Sequence, residues 1–135
     1  MRIFFDTNVL IAAFISHGTC KELFEYCITR HTICTSQAVI DEFTEILFEK
    51  FKFARHIIDR AVNFLQENLV MISFKSLPSP VCRDPKDDDI LASAMNGKVQ
   101  GIITGDKDLL ILKEFQDIPI LTPGEFWKFD KEEQP

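Results

Sequence analysis

Short apolar runs alternate along this chain with longer segments of helical period, and that alternation limits the possible folds more than any other feature. The runs are Ile3 to Phe5, Thr32 to Thr35, Val70 to Ile72, Gly101 to Thr104 and Ile118 to Leu121. Between them, apolar residues recur every three or four positions: Leu23, Phe24, Cys27 and Ile28, then Val39, Ile40, Phe43 and Leu47, then Ile57, Ile58, Ala61 and Leu65, then Ile90, Leu91 and Ala94. Strands that alternate with helices form a parallel sheet covered on both faces. With right-handed crossovers, a sheet that grows from strand one through two and three and then returns to place strand four on the other side has the order 3-2-1-4-5. The expected fold is therefore α/β, a three-layer α/β/α arrangement on a five-stranded parallel sheet. Pro119 is expected to put the last run at an edge.

A chain of 135 residues with 46% hydrophobic content is large enough for one domain with its own core, so a single domain over 1–135 is expected, with a polar tail fraying from 130 to 135. Cys20, Cys27, Cys34 and Cys82 contain no C-x-x-C pair, and His17, His31 and His56 are scattered. Neither a zinc site nor a disulfide framework is signalled, and the cysteines read as reduced, mostly buried thiols. No run approaches the roughly 20 apolar residues of a membrane span, and Asp6 follows Met1 too soon for a secretory signal. A cytoplasmic protein without membrane contact is expected. The net charge of -6 argues against coating nucleic acid by charge alone. Carboxylates gathered around a divalent metal would account for part of the negative excess.

Asp6 and Asp106 each stand directly after an apolar run, at the ends of strands one and four. Those strands flank the crevice where the strand order reverses, which is where open parallel sheets bind ligands. Asp6 can also cap the helix that begins near Asn8, and Asp108 the one after Asp106. Ser36 can cap the next helix, on which Glu42 borders the apolar stripe. Glu49 lies on nearly the same flank two turns later, so spacing does not choose between them. Asp84 before Pro85 reads as an N-cap with proline at the first helical position. The helix dipole accounts for two of the aspartates at 84, 87, 88 and 89, and the adjacent like charges invite a cation. Thr122 to Glu125 reads as a capping box.

In this order and spacing the residues resemble the PIN-domain nucleases, and within them the VapC-type toxins of bacterial and archaeal toxin–antitoxin pairs. The motifs are Asp6-Thr7-Asn8 after the first strand, Ser36 to Glu42, Asp84 to Ala94 with its D-P-x-D-D-x-x-L-A-x-A form, and Thr104 to Leu109 with its T-x-D-x-D-L form. The resemblance implies a metal-dependent endoribonuclease in which Asp6, Glu42, Asp88 and Asp106 hold one or two Mg²⁺ or Mn²⁺ ions that activate water and neutralise charge on the phosphate. Thr7, Asn8, Thr104 and Asp108 are accessory by the same resemblance. Counting back from Leu91-Ala92-Ser93-Ala94 selects Asp88, whereas helix geometry puts Asp87 on the face of Leu91 and Ala94, so either reaches the crevice. Arg83, Lys86 and Lys107 are near enough in sequence to steady a phosphate. Single-stranded RNA as substrate, an antitoxin as partner and a homodimer are the implied associations. A PIN fold that only binds RNA or protein, and a haloacid-dehalogenase-like phosphatase, are the alternatives; the latter expects D-x-D where this chain has Asn8.

Overall fold

The computed structural model describes residues 1–133, so the end of the expected frayed tail, 134 and 135, lies outside the described residues. The chain runs β1 (Arg2–Phe5), α1 (Thr7–Ile15), α2 (Thr19–Arg30), β2 (Thr32–Ser36), α3 (Gln37–Glu49), α4 (Arg55–Asn68), β3 (Val70–Ile72), α5 (Pro85–Asn96), β4 (Gly101–Ile103), α6 (Lys107–Leu110), β5 (Glu114–Phe115), β6 (Ile118–Leu121) and α7 (Pro123–Glu133). The sheet order is β3-β2-β1-β4-β6-β5. β1 pairs in parallel with β2 and β4, β2 with β3, and β4 with β6.

Side chains of a strand alternate between its two faces, so a strand buried at every position must be covered on both. Ile3, Phe4 and Phe5 are all fully buried, as are Ile102 and Ile103. The two central strands are thus sandwiched, and the expected three layers hold. Right-handed connections place α1 to α4 on one face and α5 on the other. α1 packs against α2 and α3, and α3 against α4.

Two expectations need correction. The sheet has a sixth strand, β5, antiparallel to β6. The turn between them carries positive φ at Gln116 and Asp117, 52° and 66°, the backbone of a two-residue hairpin that is usually built with Asn or Gly. No such residue announces it here, and β6 with its Pro119 sits one strand in from the edge. The first residue of the expected frayed tail, Asp130, is also held in place within α7. Asp130 is 4% exposed; it accepts a hydrogen bond from the Tyr26 hydroxyl, and its Oδ1 lies 2.9 Å from His31 Nε2. Among the described residues no helix is long and apolar enough to cross a membrane.

Candidate metal centre

The site begins with the backbone ladder. One residue beyond β1 the Asp6 N–H still donates to the Ile103 carbonyl, at 2.9 Å, which locks Asp6 beside Thr104 at the end of β4. Asp6 is the N-cap of α1, its carboxylate accepting from the Thr7 N–H at 2.7 Å. Its other oxygen accepts from the Thr104 hydroxyl at 2.7 Å. Cap and crevice group are therefore one residue. Only 6% of Asp6 is exposed, and among the described residues no ion pair involves it. Burial pushes its carboxyl above the usual range despite those two hydrogen bonds, with the charges of Glu42 and Asp106 adding to the rise.

Thr104 is fully buried and does two jobs. While its hydroxyl donates to Asp6, its oxygen accepts from the Asp106 N–H at 2.9 Å, fixing the turn that carries Asp106 to the crevice. Asp106, rather than the expected Asp108, caps α6, accepting from the Asp108 N–H at 2.9 Å.

Asp84 caps α5 ahead of Pro85, as its sequence implied. Leu91 and Ala94 on this helix are fully buried. Asp87 shares their face at the i, i+4 and i+7 spacing and is carried in with them, 7% exposed. Burial first, then the hydrogen bond and charge of Asp106 and the charges of Asp6 and Asp84, push its carboxyl up to about 7. Asp88 is turned elsewhere: it accepts from the Cys82 N–H at 2.8 Å and the Val81 N–H at 3.2 Å, tying down the loop before α5. The crevice position that motif counting gave to Asp88 is filled by Asp87. Burial, followed by the neighbouring Asp88, pushes the Cys82 thiol up to about 12, and Cys82 does not line the crevice.

Ser36 caps α3, accepting from the Val39 N–H at 3.3 Å. This helix brings Glu42 to the opposite wall, while Glu49 is exposed and outside the crevice. The crevice has a volume of about 460 Å³ and takes in Asp6, Thr7, Asn8, Glu42, Lys86, Asp87 and Asp106. Asp84 and Asp89 of the aspartate run line it as well, and so do Asp41 and Glu45, which were not anticipated there. Their signal was available: Ala38, Asp41, Glu42 and Glu45 follow the spacing of one helix flank. Asp108 stands at the side, its two oxygens 2.8 and 2.9 Å from the Arg83 guanidinium. Lys107 is exposed and does not line the crevice.

Asp87, Asp106 and Asp108 each offer an oxygen within 4.8 Å of the others. The donor set is entirely carboxylate, with Asp6 buried beside it, and hard oxygen donors without thiolate or imidazole suit Mg²⁺ or Mn²⁺. The residues fit such an ion.

A strand-ordered α/β fold with an acidic crevice at its switch point defines the class. Residues 2–108 match the family model for the PIN domain, and the chain belongs to that family. Among solved structures it is similar to VapBC2 from Rickettsia felis, in a crystal structure with a DNA fragment from their promoter, at 14% identity and a TM-score of 0.62 over 89% of this chain and 97% of that one. It is also similar to FitAcB from Neisseria gonorrhoeae, at 13% identity and a TM-score of 0.58 over 90% of this chain and 98% of that one. At these identities the likeness is one of fold. No curated protein matches the chain.

Proposed function

We propose that the protein is a divalent-metal-dependent endoribonuclease that hydrolyses phosphodiester bonds of single-stranded RNA, the toxin of a toxin–antitoxin pair acting in the cytoplasm. The observation that carries this reading is Asp6: a nearly buried carboxylate held only by neutral donors, among further carboxylates. Buried charges are paired or coordinate metals, and among the described residues Asp6 has no cation of its own.

Asp6, Asp87, Asp106 and Glu42 would hold one or two Mg²⁺ or Mn²⁺ ions, with Asp108 beside them. When bound, such an ion supplies Lewis acidity to the phosphate and lowers the pKa of water. The chain's own part is to aim and to exchange protons. Thr7 and Thr104 fix the Asp6 oxygens. Asp87 shares a hydrogen bond with Asp106 and must give up its proton as the metal enters. Asn8 is exposed on the crevice wall, where its amide can meet a phosphate or ribose oxygen. Arg83 and Lys86 stand at the mouth as phosphate contacts. The resemblance of the motifs to VapC-type toxins supports an antitoxin protein as partner and pairing with a second copy, and the fold likeness to VapBC2 adds support to the first of these.

The test is cleavage of a labelled single-stranded RNA by purified protein with Mn²⁺, with Mg²⁺ and with EDTA. Cleavage that needs the metal is expected, and undiminished cleavage in EDTA would overturn the mechanism.

A further inference from the structure

The segment that opens α5 carries two cations, each paired with a carboxylate of another element. Arg83 reaches Asp108 with paired contacts of 2.8 and 2.9 Å. Lys86 reaches across the crevice, its Nζ 3.4 Å from Glu42 Oε2. The two pairs differ in what they cover. Arg83 is 85% exposed and lies outside the crevice lining, whereas Lys86 lines the crevice with Asp6, Glu42 and Asp87. The carboxylates with clustered oxygens, Asp87, Asp106 and Asp108, do not include Glu42. Glu42 therefore stands apart from that cluster, and its cation is Lys86.

We infer that Lys86 is an exchangeable counterion for Glu42: in the free protein it leaves the crevice ready for one divalent ion on the Asp87–Asp106 side, and Glu42 takes up a second more tightly once a substrate phosphate draws Lys86 away. The inference rests on the metal-dependent reading above and adds an order of binding to it. An ammonium and a divalent ion compete for the same carboxylate, and the ammonium repels the ion it would have to admit. The pair is loose enough to exchange, since it joins a side chain that is 67% exposed to one that is 27% exposed and a pair so placed holds weakly. Lysine's flexible four-carbon stem lets the charge swing to a phosphate without backbone movement. Substrate and second ion then assist each other's binding, by reciprocity of linkage.

The test titrates Mn²⁺ by calorimetry, without RNA, into wild type, Lys86→Met and Lys128→Met. The last removes the same charge from an exposed position on α7. The second ion should bind on the order of three- to tenfold tighter to Lys86→Met than to either other protein, with a smaller change for the first ion. In parallel, fluorescence anisotropy of a single-stranded oligoribonucleotide in Ca²⁺ should show Lys86→Met binding RNA several-fold more weakly. Opposite signs for the two ligands are the signature of exchange, because a folding defect would weaken both. A second ion bound no tighter by Lys86→Met than by Lys128→Met overturns the inference and leaves the metal centre standing. Failure of wild type to bind Mn²⁺ at all overturns both.

Discussion

Asp6 and Asp130 are buried to nearly the same depth, 6% and 4% exposed, and keep opposite company. Asp130 faces the His31 ring at 2.9 Å and the Tyr26 hydroxyl at 2.5 Å, and the Met1 amine lies 3.2 Å beyond the ring on its other nitrogen. Asp6 has an amide and a hydroxyl, and the nearby charges acting on it are negative. Burial alone does not separate a structural carboxylate from a functional one; the kind of partner does. A buried acid hydrogen-bonded to a ring and a hydroxyl, with a positive amine just beyond, is complete, whereas one surrounded by other acids is relieved only when something positive arrives.

The largest expected effect separates the two sites by activity. Asp6→Asn and Asp87→Asn should each lower RNA cleavage by at least about a hundredfold, while Asp130→Asn, assayed well below its melting point, should cleave at close to the wild-type rate. Asp88→Asn should also stay within several-fold of wild type, because asparagine keeps an oxygen for the Val81 and Cys82 N–H groups. A dead Asp88→Asn beside an active Asp87→Asn would reverse the assignment of the crevice.

Stability should order the sites the other way. Asp130→Ala strands a buried histidine and a tyrosine hydroxyl, and urea unfolding should show a loss of about 3 kcal/mol. Asp6→Asn in EDTA at pH 7 should instead gain on the order of 1 kcal/mol, since it removes one of several repelling charges. Asparagine caps a helix about as well as aspartate, so the opposing loss is confined to the Thr104 hydrogen bond, whose acceptor oxygen becomes an amide nitrogen. Millimolar Mn²⁺ should then raise the melting temperature of wild type more than that of Asp6→Asn. An Asp6→Asn protein that melts lower in EDTA and gains equally from Mn²⁺ would make Asp6 a cap and nothing more.

The most gradual effect is that of pH. The Asp87 carboxyl is raised from 3.8 to about 7, so between those limits the folded state holds a proton that the unfolded chain has lost. Its contribution is full below about pH 4 and disappears as pH rises through about 7. Thermal melts in EDTA should therefore fall across that window, and Asp87→Asn should flatten the slope. Mn²⁺ affinity should climb over the same range, because the ligand must be deprotonated.

The strand order from β3 through β2 and β1 to β4 followed from apolar period and the handedness of crossovers, and so did the crevice between Asp6 and Asp106. Both depend on the backbone, which responds to local pattern. The choice between Asp87 and Asp88 depended on which side of one helical turn faces inward. The burial of Leu91 and Ala94 turns Asp87 inward, and this was visible as spacing against the competing pull of a motif count. The bond from Thr104 to Asp6 and the role of Asp130 as an anchor were illegible, because the partners lie 98 residues apart in the first case and 104 and 99 in the second. The cap of α6 was misplaced by two residues for a local reason: Asp106 and Asp108 are both good caps, and the turn set by Thr104 decides between them.

The two-residue β5 has a consequence for how this molecule meets others. A sheet edge is a row of unpaired amides and carbonyls on which a foreign strand can build, and long exposed edges are where chains join into aggregates. Here one border of the sheet is the two residues Glu114 and Phe115, and the other is the three residues of β3. Neither gives an incoming strand a template of useful length. Growth of the sheet by strand addition is closed off at both sides, which directs any association to the side-chain surfaces of the helices.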